Sequence, residues 1–297
     1  MSLPGRGRGA VYPRSVNQGR GRGTVVVSAT LAATLAALVA GLAGCAPDTA
    51  PAIALPPAGA APDYQLGAAY DPPAGVTVVA RDRTAEPAPG VYSICYVNGF
   101  QTQPGELDTW PSEALLTDAR GEIVFDPDWP DEALLDTSTD AERALIAGVV
   151  EPWIRGCAEA GFDAVEFDNL DTYERSDGAL TLDDNLALAA LLVGAAHRAG
   201  LAAGQKNAAE DAEMLHEAAA FDFAMAEECT VFDECSLFAD VYGEHVIAVE
   251  YSDTGIDFAT ACAAPSAPAS MVLRDRDLTG PDDDAYVFAL CDSTGPR

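Results

Sequence analysis

The sequence predicts a single α/β domain with the architecture of a (β/α)8 TIM-like barrel. Short apolar runs alternate with amphipathic runs along most of the chain, which indicates parallel strands connected by helices. About 235 residues follow a proline- and alanine-rich segment that ends near residue 62, and this length suits one barrel better than two domains. Polar residues also gather where the predicted strands end, as they do at the mouth of a barrel.

Eight segments have the length and apolar content of buried strands. They cover residues 93–97, 122–125, 133–136, 164–167, 201–205, 221–226, 246–251 and 271–273. Four longer amphipathic segments predict helices over residues 141–160, 182–198, 210–219 and 234–242. An open, doubly wound sheet is the alternative arrangement. It is disfavoured as a nucleotide-binding domain because no GxGxxG sequence follows an early strand.

The first 44 residues have the order of an export signal, since five arginines precede an uncharged apolar run over residues 24–43. That run nearly reaches the ~20 residues that span a bilayer, so an uncleaved anchor is the alternative. The sequence LAGC that ends at Cys45 resembles the lipobox of bacterial lipoproteins. We therefore expect residues 1–44 to be a lipoprotein signal peptide, Cys45 to carry the lipid, residues 45–62 to be a tether, and the barrel to cover residues 63–297.

The charge of the chain limits its partners. Without residues 1–44, the chain has 11 basic and 47 acidic residues and a net charge of −36. Such a surface repels nucleic acid and anionic lipid, and it attracts cations or a polycationic substrate. Solubility alone is the alternative explanation of the charge. We expect no nucleic-acid partner, contact with the membrane only through the lipid, and a location on the outer face of the cell membrane.

Six cysteines remain besides Cys45, and an even number in an oxidising compartment favours disulfides. Six cysteines allow 15 pairings. Their positions favour Cys95 with Cys157, Cys229 with Cys235, and Cys262 with Cys291. A zinc site is the alternative, but the chain has no CxxC pair and its three histidines lie far from the cysteines in sequence. We expect neither a metal nor a cofactor.

Two predicted strand ends carry carboxylates in a pattern that suits cleavage of a glycosidic bond. In GFDAVEFDNLDTY, side-chain alternation places Glu166 and Asp168 on the same side of a strand. In DFAMAEEC, a strand of small and apolar residues ends at Glu227. Apolar neighbours predict a raised pKa for Glu227, which suits a general acid. Because glycosidic cleavage needs two carboxyl groups, we predict Asp168 and Glu227 as the catalytic pair.

Further polar residues at strand ends are candidates for substrate binding. Lys206 is the only lysine, whereas arginine occurs 15 times, so a specific role beside Asp168 or the substrate is expected. Asp171 has an alternative role as a helix cap or as the partner of Arg175. The other predicted substrate-binding residues are Tyr96, Asp136, Glu166, Asn169, Asn207, Glu250 and Tyr251. Aromatic residues in or beside the same loops suit stacking on sugars, with core packing as the alternative; they include Phe100, Trp110, Trp129 and Tyr173.

Six segments in this order resemble glycoside hydrolase family 114, the endo-α-1,4-polygalactosaminidases. They are CYVNGFQTQPGE, DPDWPDEALLDTS, GFDAVEFDNLDTY, GLAAGQKN, AMAEECTVFDEC and VIAVEYSD. The resemblance runs from about residue 64 to residue 291. It implies a (β/α)8-like barrel and hydrolysis of α-1,4-linked galactosamine polymers, which are polycations when de-N-acetylated.

The resemblance also implies roles for the two carboxylates, with Asp168 as nucleophile and Glu227 as acid/base of a retaining enzyme. The chain departs from the family pattern at Phe167, where Pro is frequent, and at Ala226, where Asn is frequent. The second departure bears on which sugar is bound. Two alternatives stay open: a surface lipoprotein that binds a glycan without cleaving it, and a hydrolase of a neutral α-glycan. The presence of both carboxylates argues against the first.

Overall fold

The computed structural model describes residues 53–291, and a nine-stranded sheet in chain order forms their centre. The strands are β1 (Pro62–Tyr64), β2 (Val78–Asp82), β3 (Tyr92–Asn98), β4 (Ala164–Asp168), β5 (Ala202–Lys206), β6 (Phe223–Glu227), β7 (Val246–Tyr251), β8 (Ser270–Arg274) and β9 (Phe288–Leu290). Strands β1 to β8 are parallel, and β9 pairs antiparallel with β8. The carboxyl ends of all eight parallel strands therefore face one mouth.

The sheet curls into a nearly closed barrel in which β1 lies next to β8. Arg274 in β8 forms a wholly buried ion pair of 2.8 Å with Asp63 in β1, and it donates a hydrogen bond to the carbonyl of Tyr64. Removal of either partner would leave an uncompensated buried charge and should strongly destabilise the closed barrel. The predicted single-domain TIM-like barrel is confirmed.

Helices connect the strands on the outside of the barrel. They are α1 (Asp140–Ala160), α2 (Leu182–Ala199), α3 (Ala212–Met214), α4 (Cys235–Tyr242) and α5 (Phe258–Cys262). The two long helices are capped at their N-termini by Thr139 and Thr181, whose hydroxyls accept backbone hydrogen bonds. Gly161 and Gly200 cap their C-termini in the left-handed conformation. Among residues 53–291, no helix combines the length and the apolar character needed to cross a bilayer.

The predicted elements differ from the structure in three respects. Residues 122–125 and 133–136 are not barrel strands, because they form short antiparallel bridges within the long β3–α1 connection. The predicted helix over residues 210–219 is instead a 3₁₀ turn, the short α3 and a π-helical turn. Strands β1, β2 and β9 were not predicted. Alternation of apolar residues reveals a strand but not its partner, which explains the first difference.

Two apolar layers support the mouth. Inside the barrel, Ile94, Phe223, Ile247 and Val272 pack together, while a larger layer lies between the strands and the helices. Gly204 faces inward, and a Cβ there would lie 2.5 Å from the Phe223 ring, so only glycine leaves room for that side chain. The apolar interior closes the floor of the barrel beneath the polar strand ends.

The three predicted disulfides are confirmed. They join Cys95 to Cys157, Cys229 to Cys235, and Cys262 to Cys291. The first links β3 to α1, the second closes the loop that follows β6, and the third links α5 to the residue after β9. Two of the three therefore join elements that are distant in sequence.

The segment before β1 lies across the end of the barrel opposite the mouth. The Tyr92 hydroxyl, at the start of β3, donates a 2.7 Å hydrogen bond to the carbonyl of Ala54. His245, just before β7, contacts the carbonyl of Pro56 at 3.0 Å. The predicted signal peptide, the lipidated Cys45 and the first part of the tether lie outside the described residues.

Candidate active site

Four polar side chains meet at the mouth because four neighbouring strands end there. Asp168 is the last residue of β4, Lys206 of β5, Glu227 of β6 and Tyr251 of β7. Each lies two or four residues after an inward-facing apolar residue, so alternation directs each into the barrel. The flanking residue Phe167 points outward into the layer under the helices.

Lys206 lies between the two predicted catalytic carboxylates. Its Nζ is 3.1 Å from Asp168 Oδ2 and 3.0 Å from Glu227 Oε2, so these two oxygens are at most about 6 Å apart. The Lys206 side chain is only 3% exposed, whereas Asp168 and Glu227 remain open to solvent at 17% and 22%. Burial lowers the pKa of Lys206, but the carboxylates of Asp168 and Glu227 outweigh it and raise that pKa well above its ordinary value. The ammonium is therefore charged.

Both oxygens of Asp168 are held by hydrogen bonds. The Tyr96 hydroxyl donates to Oδ2 at 2.8 Å, and the backbone N–H of Asn169 donates to Oδ1 at 2.8 Å. Burial and the Asp168 charge raise the pKa of Tyr96 well above its usual value, so this phenol stays protonated and keeps donating. The carboxylate of Asp168 is consequently fixed in orientation.

Both oxygens of Glu227 are also held by hydrogen bonds, from residues at the ends of the neighbouring strands β5 and β7. Asn207 donates from Nδ2 to Glu227 Oε2 at 3.0 Å and accepts from the Glu227 backbone N–H at 2.8 Å, while the Tyr251 hydroxyl donates to Oε1. Asn207 adopts a left-handed conformation to reach this position, with φ of 53°.

The expectation of a raised pKa for Glu227 is wrong. Burial does raise it, but the charge of Lys206 and the hydrogen bonds from Tyr251 and Asn207 lower it further, so the pKa of Glu227 lies below its ordinary value. The apolar flanks in sequence indicated desolvation, whereas these three donors come from neighbouring strands. Glu227 is thus anionic in the free site at neutral pH.

Glu166 lies deeper in the barrel, two residues before Asp168. It is completely buried, and neither its carboxyl oxygens nor the nearby Tyr64 hydroxyl has a hydrogen-bond partner within residues 53–291. Burial raises the pKa of Glu166 to about 8, although Lys206 opposes the shift. This carboxyl group is therefore largely neutral at neutral pH, and it lies too deep to face a substrate in the open cleft.

Glu132 is a residue of the mouth that the sequence did not predict. Its carboxylate accepts a 3.0 Å hydrogen bond from Asn98, whose own carbonyl oxygen accepts one of 3.1 Å from the Asn169 side chain. Burial and the nearby Asp168 raise the pKa of Glu132 to about 7. The only sequence signal was its place in the acidic, tryptophan-containing stretch of the long β3–α1 connection.

Asp171 and Asp136 do not join the pair of carboxylates. Asp171 forms a 2.9 Å ion pair with Arg175, which is the alternative role considered for it, and Arg175 also binds Asp126 at 2.7 Å. Asp136 accepts a 2.9 Å hydrogen bond from the backbone N–H of Ser138, just before α1. Both residues stabilise local turns of the rim.

Glu250 lies on the outer face of β7, because its neighbour Tyr251 points into the mouth. It is buried and accepts a 2.9 Å hydrogen bond from the backbone of Thr230. Its carboxylate and the sulfurs of Cys229 and Cys235 lie within 4.8 Å of one another, but the disulfide joins those two sulfurs. Glu250 therefore supports the loop after Glu227 and does not face the cleft.

The aromatic candidates divide into buried and exposed residues. Phe100 and Trp110 belong to the core, and Tyr173 donates a hydrogen bond to Asp211. Trp129 is 61% exposed beside Glu132. Phe232, which was not a predicted site residue, is 62% exposed in the loop after Glu227. Exposed aromatic faces thus follow two of the elements that form the mouth.

The chain is similar to known proteins in sequence and in fold. Residues 44–295 match the model of glycoside-hydrolase family GH114. The structure of Aspergillus fumigatus Ega3 in complex with galactosamine is similar in fold, with a TM-score of 0.66 and 22% identity over 81% of this chain and 98% of that chain. The glycoside hydrolase domain of PelA from Pseudomonas aeruginosa has a TM-score of 0.54 and 13% identity over 78% and 98%.

Among curated proteins, no sequence matches significantly. The family model nevertheless covers most of the chain, and the two solved structures share its barrel. The protein belongs to glycoside hydrolase family GH114 and is a glycosidase.

Proposed function

We propose that this glycosidase cleaves α-1,4-linked galactosamine-type polysaccharide outside the cell by a retaining mechanism, with Asp168 and Glu227 as the reacting carboxylates. The observation that carries the proposal is the position of Lys206, which limits the facing oxygens of that pair to about 6 Å apart. Retaining glycosidases hold their carboxyl groups about 5–5.5 Å apart and inverting enzymes about 6.5–9.5 Å. The spacing supports retention.

In the first step, an oxygen of Asp168 attacks the anomeric carbon, and the bond from that carbon to the glycosidic oxygen breaks. Glu227 gives its proton to the leaving oxygen. In the second step, Glu227 takes a proton from water, the water oxygen attacks the anomeric carbon, and Asp168 leaves as a carboxylate. Tyr96 and Lys206 fix Asp168 for attack and stabilise it again when it leaves.

Glu227 must gain a proton before the first step, although its pKa lies below the ordinary value in the free site. A sugar in the cleft excludes water from the 22% of the side chain that is exposed, and desolvation favours the neutral form of a carboxyl group. Substrate binding and protonation of Glu227 are therefore coupled, and low pH favours the first step.

Charge supports an amino-sugar polymer as the substrate. A chain without residues 1–44 has a net charge of −36, which attracts polycations. The similar structure of Ega3 contains galactosamine, which is consistent with this choice. A direct test compares de-N-acetylated galactosaminan, its N-acetylated form and a neutral α-glycan as substrates. Faster cleavage of the neutral glycan would reject the amino-sugar proposal.

The role of the pair is tested by Asp168→Asn and Glu227→Gln, with Asp171→Asn as the matched control. We expect each of the first two to abolish polymer cleavage while the control, whose carboxylate pairs with Arg175 at the rim, stays active. The roles of nucleophile and acid/base are distinguished by adding azide to each variant with an activated α-galactosaminide as substrate. Azide should yield the α-azide with Glu227→Gln and the β-azide with Asp168→Asn, because only the latter lacks the nucleophile.

We further propose that Cys45 is lipidated and anchors the enzyme to the outer face of the membrane. Residues 54 to 56 lie at the end of the barrel opposite the mouth, so a tether leading there leaves the cleft accessible to a polymer. Cys45→Ala should release the protein from membranes and abolish incorporation of labelled fatty acid. Membrane retention of that variant without label would indicate an uncleaved apolar anchor instead.

A further inference from the structure

Glu132 is a carboxylate at the mouth that the proposed reaction does not use. It lies in the long β3–α1 connection, half-buried, and accepts a hydrogen bond of 3.0 Å from Asn98. Asn98 accepts in turn from the side chain of Asn169, whose backbone N–H binds Asp168. Two amide side chains thus connect Glu132 to the proposed nucleophile along one rim.

Glu132 differs from Asp126 and Asp171 because no cation pairs with it within residues 53–291. Arg175 is shared by Asp126 and Asp171, at 2.7 Å and 2.9 Å, whereas Glu132 forms no salt bridge there. The charged groups that face it are Asp168, Asp126 and Arg175; the two carboxylates raise its pKa and Arg175 lowers it, with burial as the largest cause of its rise to about 7. A positively charged group that enters the cleft could therefore bind the Glu132 carboxylate, which is partly desolvated and has no cation beside it.

Trp129 lies on the same turn. The backbone N–H of Glu132 donates a 2.9 Å hydrogen bond to the Trp129 carbonyl, and the backbone N–H of Trp129 donates one of 3.2 Å to Asp126. The turn is therefore well ordered, yet the indole is 61% exposed. A sugar ring has a face of C–H bonds that packs against such an aromatic surface.

We propose that Trp129 and Glu132 form a subsite for one amino sugar of the polymer. The indole packs against the sugar ring, and the Glu132 carboxylate binds the ammonium group on C2. No bond of the substrate forms or breaks at this subsite. Glu132 therefore determines which sugar units bind there and takes no part in the cleavage itself. An N-acetylated unit offers no ammonium group, so the subsite selects de-N-acetylated units. The inference rests on the proposed function, because it requires a substrate with free amino groups.

The test compares wild type with Glu132→Gln, using Asp131→Asn as the matched control. Asp131 is the exposed neighbour, and its substitution removes the same charge from the same turn. KM and kcat are measured on de-N-acetylated galactosaminan at low ionic strength. At about pH 7.5 we expect Glu132→Gln to raise KM about 10-fold with little change in kcat, because a charge-assisted contact made in the ground and transition states is lost. Asp131→Asn should change KM less than about 2-fold.

At about pH 5.5 the difference between wild type and Glu132→Gln should narrow to less than about 3-fold, because Glu132 is then mostly protonated in the wild type as well. An equal rise in KM at both pH values would overturn the proposal, since it would indicate a structural role. An equal rise with Asp131→Asn would overturn it too, because net charge would then suffice.

Trp129→Ala provides a second test, which stays valid even if the Glu132→Gln variant fails to fold. It should raise KM about 10-fold at both pH values, since stacking does not depend on the ionisation of Glu132, and an unchanged KM would overturn the subsite. The two proposals fail in distinguishable ways. A wild type that does not cleave galactosaminan rejects the proposed function, whereas a wild type that cleaves it with a KM insensitive to these substitutions rejects the subsite alone.

Discussion

The hydroxyl of Tyr251 donates a hydrogen bond to the carboxylate of Glu227 across neighbouring strands β7 and β6. This contact and the charge of Lys206 keep the pKa of Glu227 below its ordinary value despite burial. The strength of the proposed acid is thus controlled by donors from other strands.

Tyr251→Phe should raise the pKa of Glu227, because it removes a hydrogen bond that stabilises the charged form. Since the protonated form of Glu227 is needed for the first step, the alkaline limb of kcat/KM should move up by roughly one pH unit. The measurement is the pH profile of kcat/KM on one polymer for both proteins. Tyr96→Phe is the matched control, as its hydroxyl binds Asp168 and its loss should leave that limb in place.

Lys206→Met should destabilise the fold most at neutral pH. Removal of one member of a buried ion network leaves uncompensated charge and costs about 3–5 kcal/mol. The lowered pKa of Glu227 in the wild type contributes stability that is present above the unfolded-state pKa and is lost as the pH falls through the folded-state value. The difference in unfolding free energy, measured with urea, should therefore shrink as the pH falls below about 4.5, the ordinary pKa of this side chain. A difference that grows in acid would refute the assignment.

Glu166→Gln should make stability less sensitive to alkali. The folded pKa of Glu166 is raised to about 8, so between its unfolded value and 8 the folded state binds more protons and stability falls as the pH rises. The variant lacks this titration. Urea unfolding at about pH 5 and about pH 8 should show the wild type losing up to a few kcal/mol more than the variant over this interval. Equal losses would mean that Glu166 is ionised in the fold.

The disulfides should differ in their contribution to stability. The Cys95–Cys157 bond closes a long loop, with a sequence separation of 62. The Cys229–Cys235 bond closes a short loop, with a sequence separation of 6. In the chain-entropy model these loops correspond to about 4 and about 2 kcal/mol. When both cysteines of one disulfide are replaced by serine, the loss of unfolding free energy, measured with urea, should be larger for the Cys95–Cys157 pair than for the Cys229–Cys235 pair. A larger loss from the short loop would indicate that Cys229–Cys235 acts through packing beside Glu250.

The barrel could be predicted because β4 to β8 and the long helices have clear patterns. The first two strands could not be predicted, because β1 has only three residues and β2 contains Arg81 and Asp82, whose charges interrupt the apolar run. The β3–α1 connection was misassigned to the barrel because its residues alternate like strand residues while pairing only with each other.

Within the site, the predicted strand ends and the family resemblance indicated Asp168 and Glu227, and the rarity of lysine indicated Lys206. The pKa of Glu227 could not be predicted, because the three donors that lower it are separated from it in sequence and meet it only across strands. Glu132 could not be placed either, since nothing in a loop sequence indicates that Asn98 and Asn169 connect it to the mouth.

The first anomer formed is the most direct test of the central claim that Asp168 and Glu227 act as a retaining pair. The anomeric proton signals of the new reducing ends are followed by NMR as wild-type enzyme is added to α-1,4-galactosaminan, before mutarotation equilibrates them. The spacing across Lys206 predicts that the α-anomer appears first. Initial formation of the β-anomer would contradict the account, because it would require a water molecule between the substrate and one of the two carboxylates.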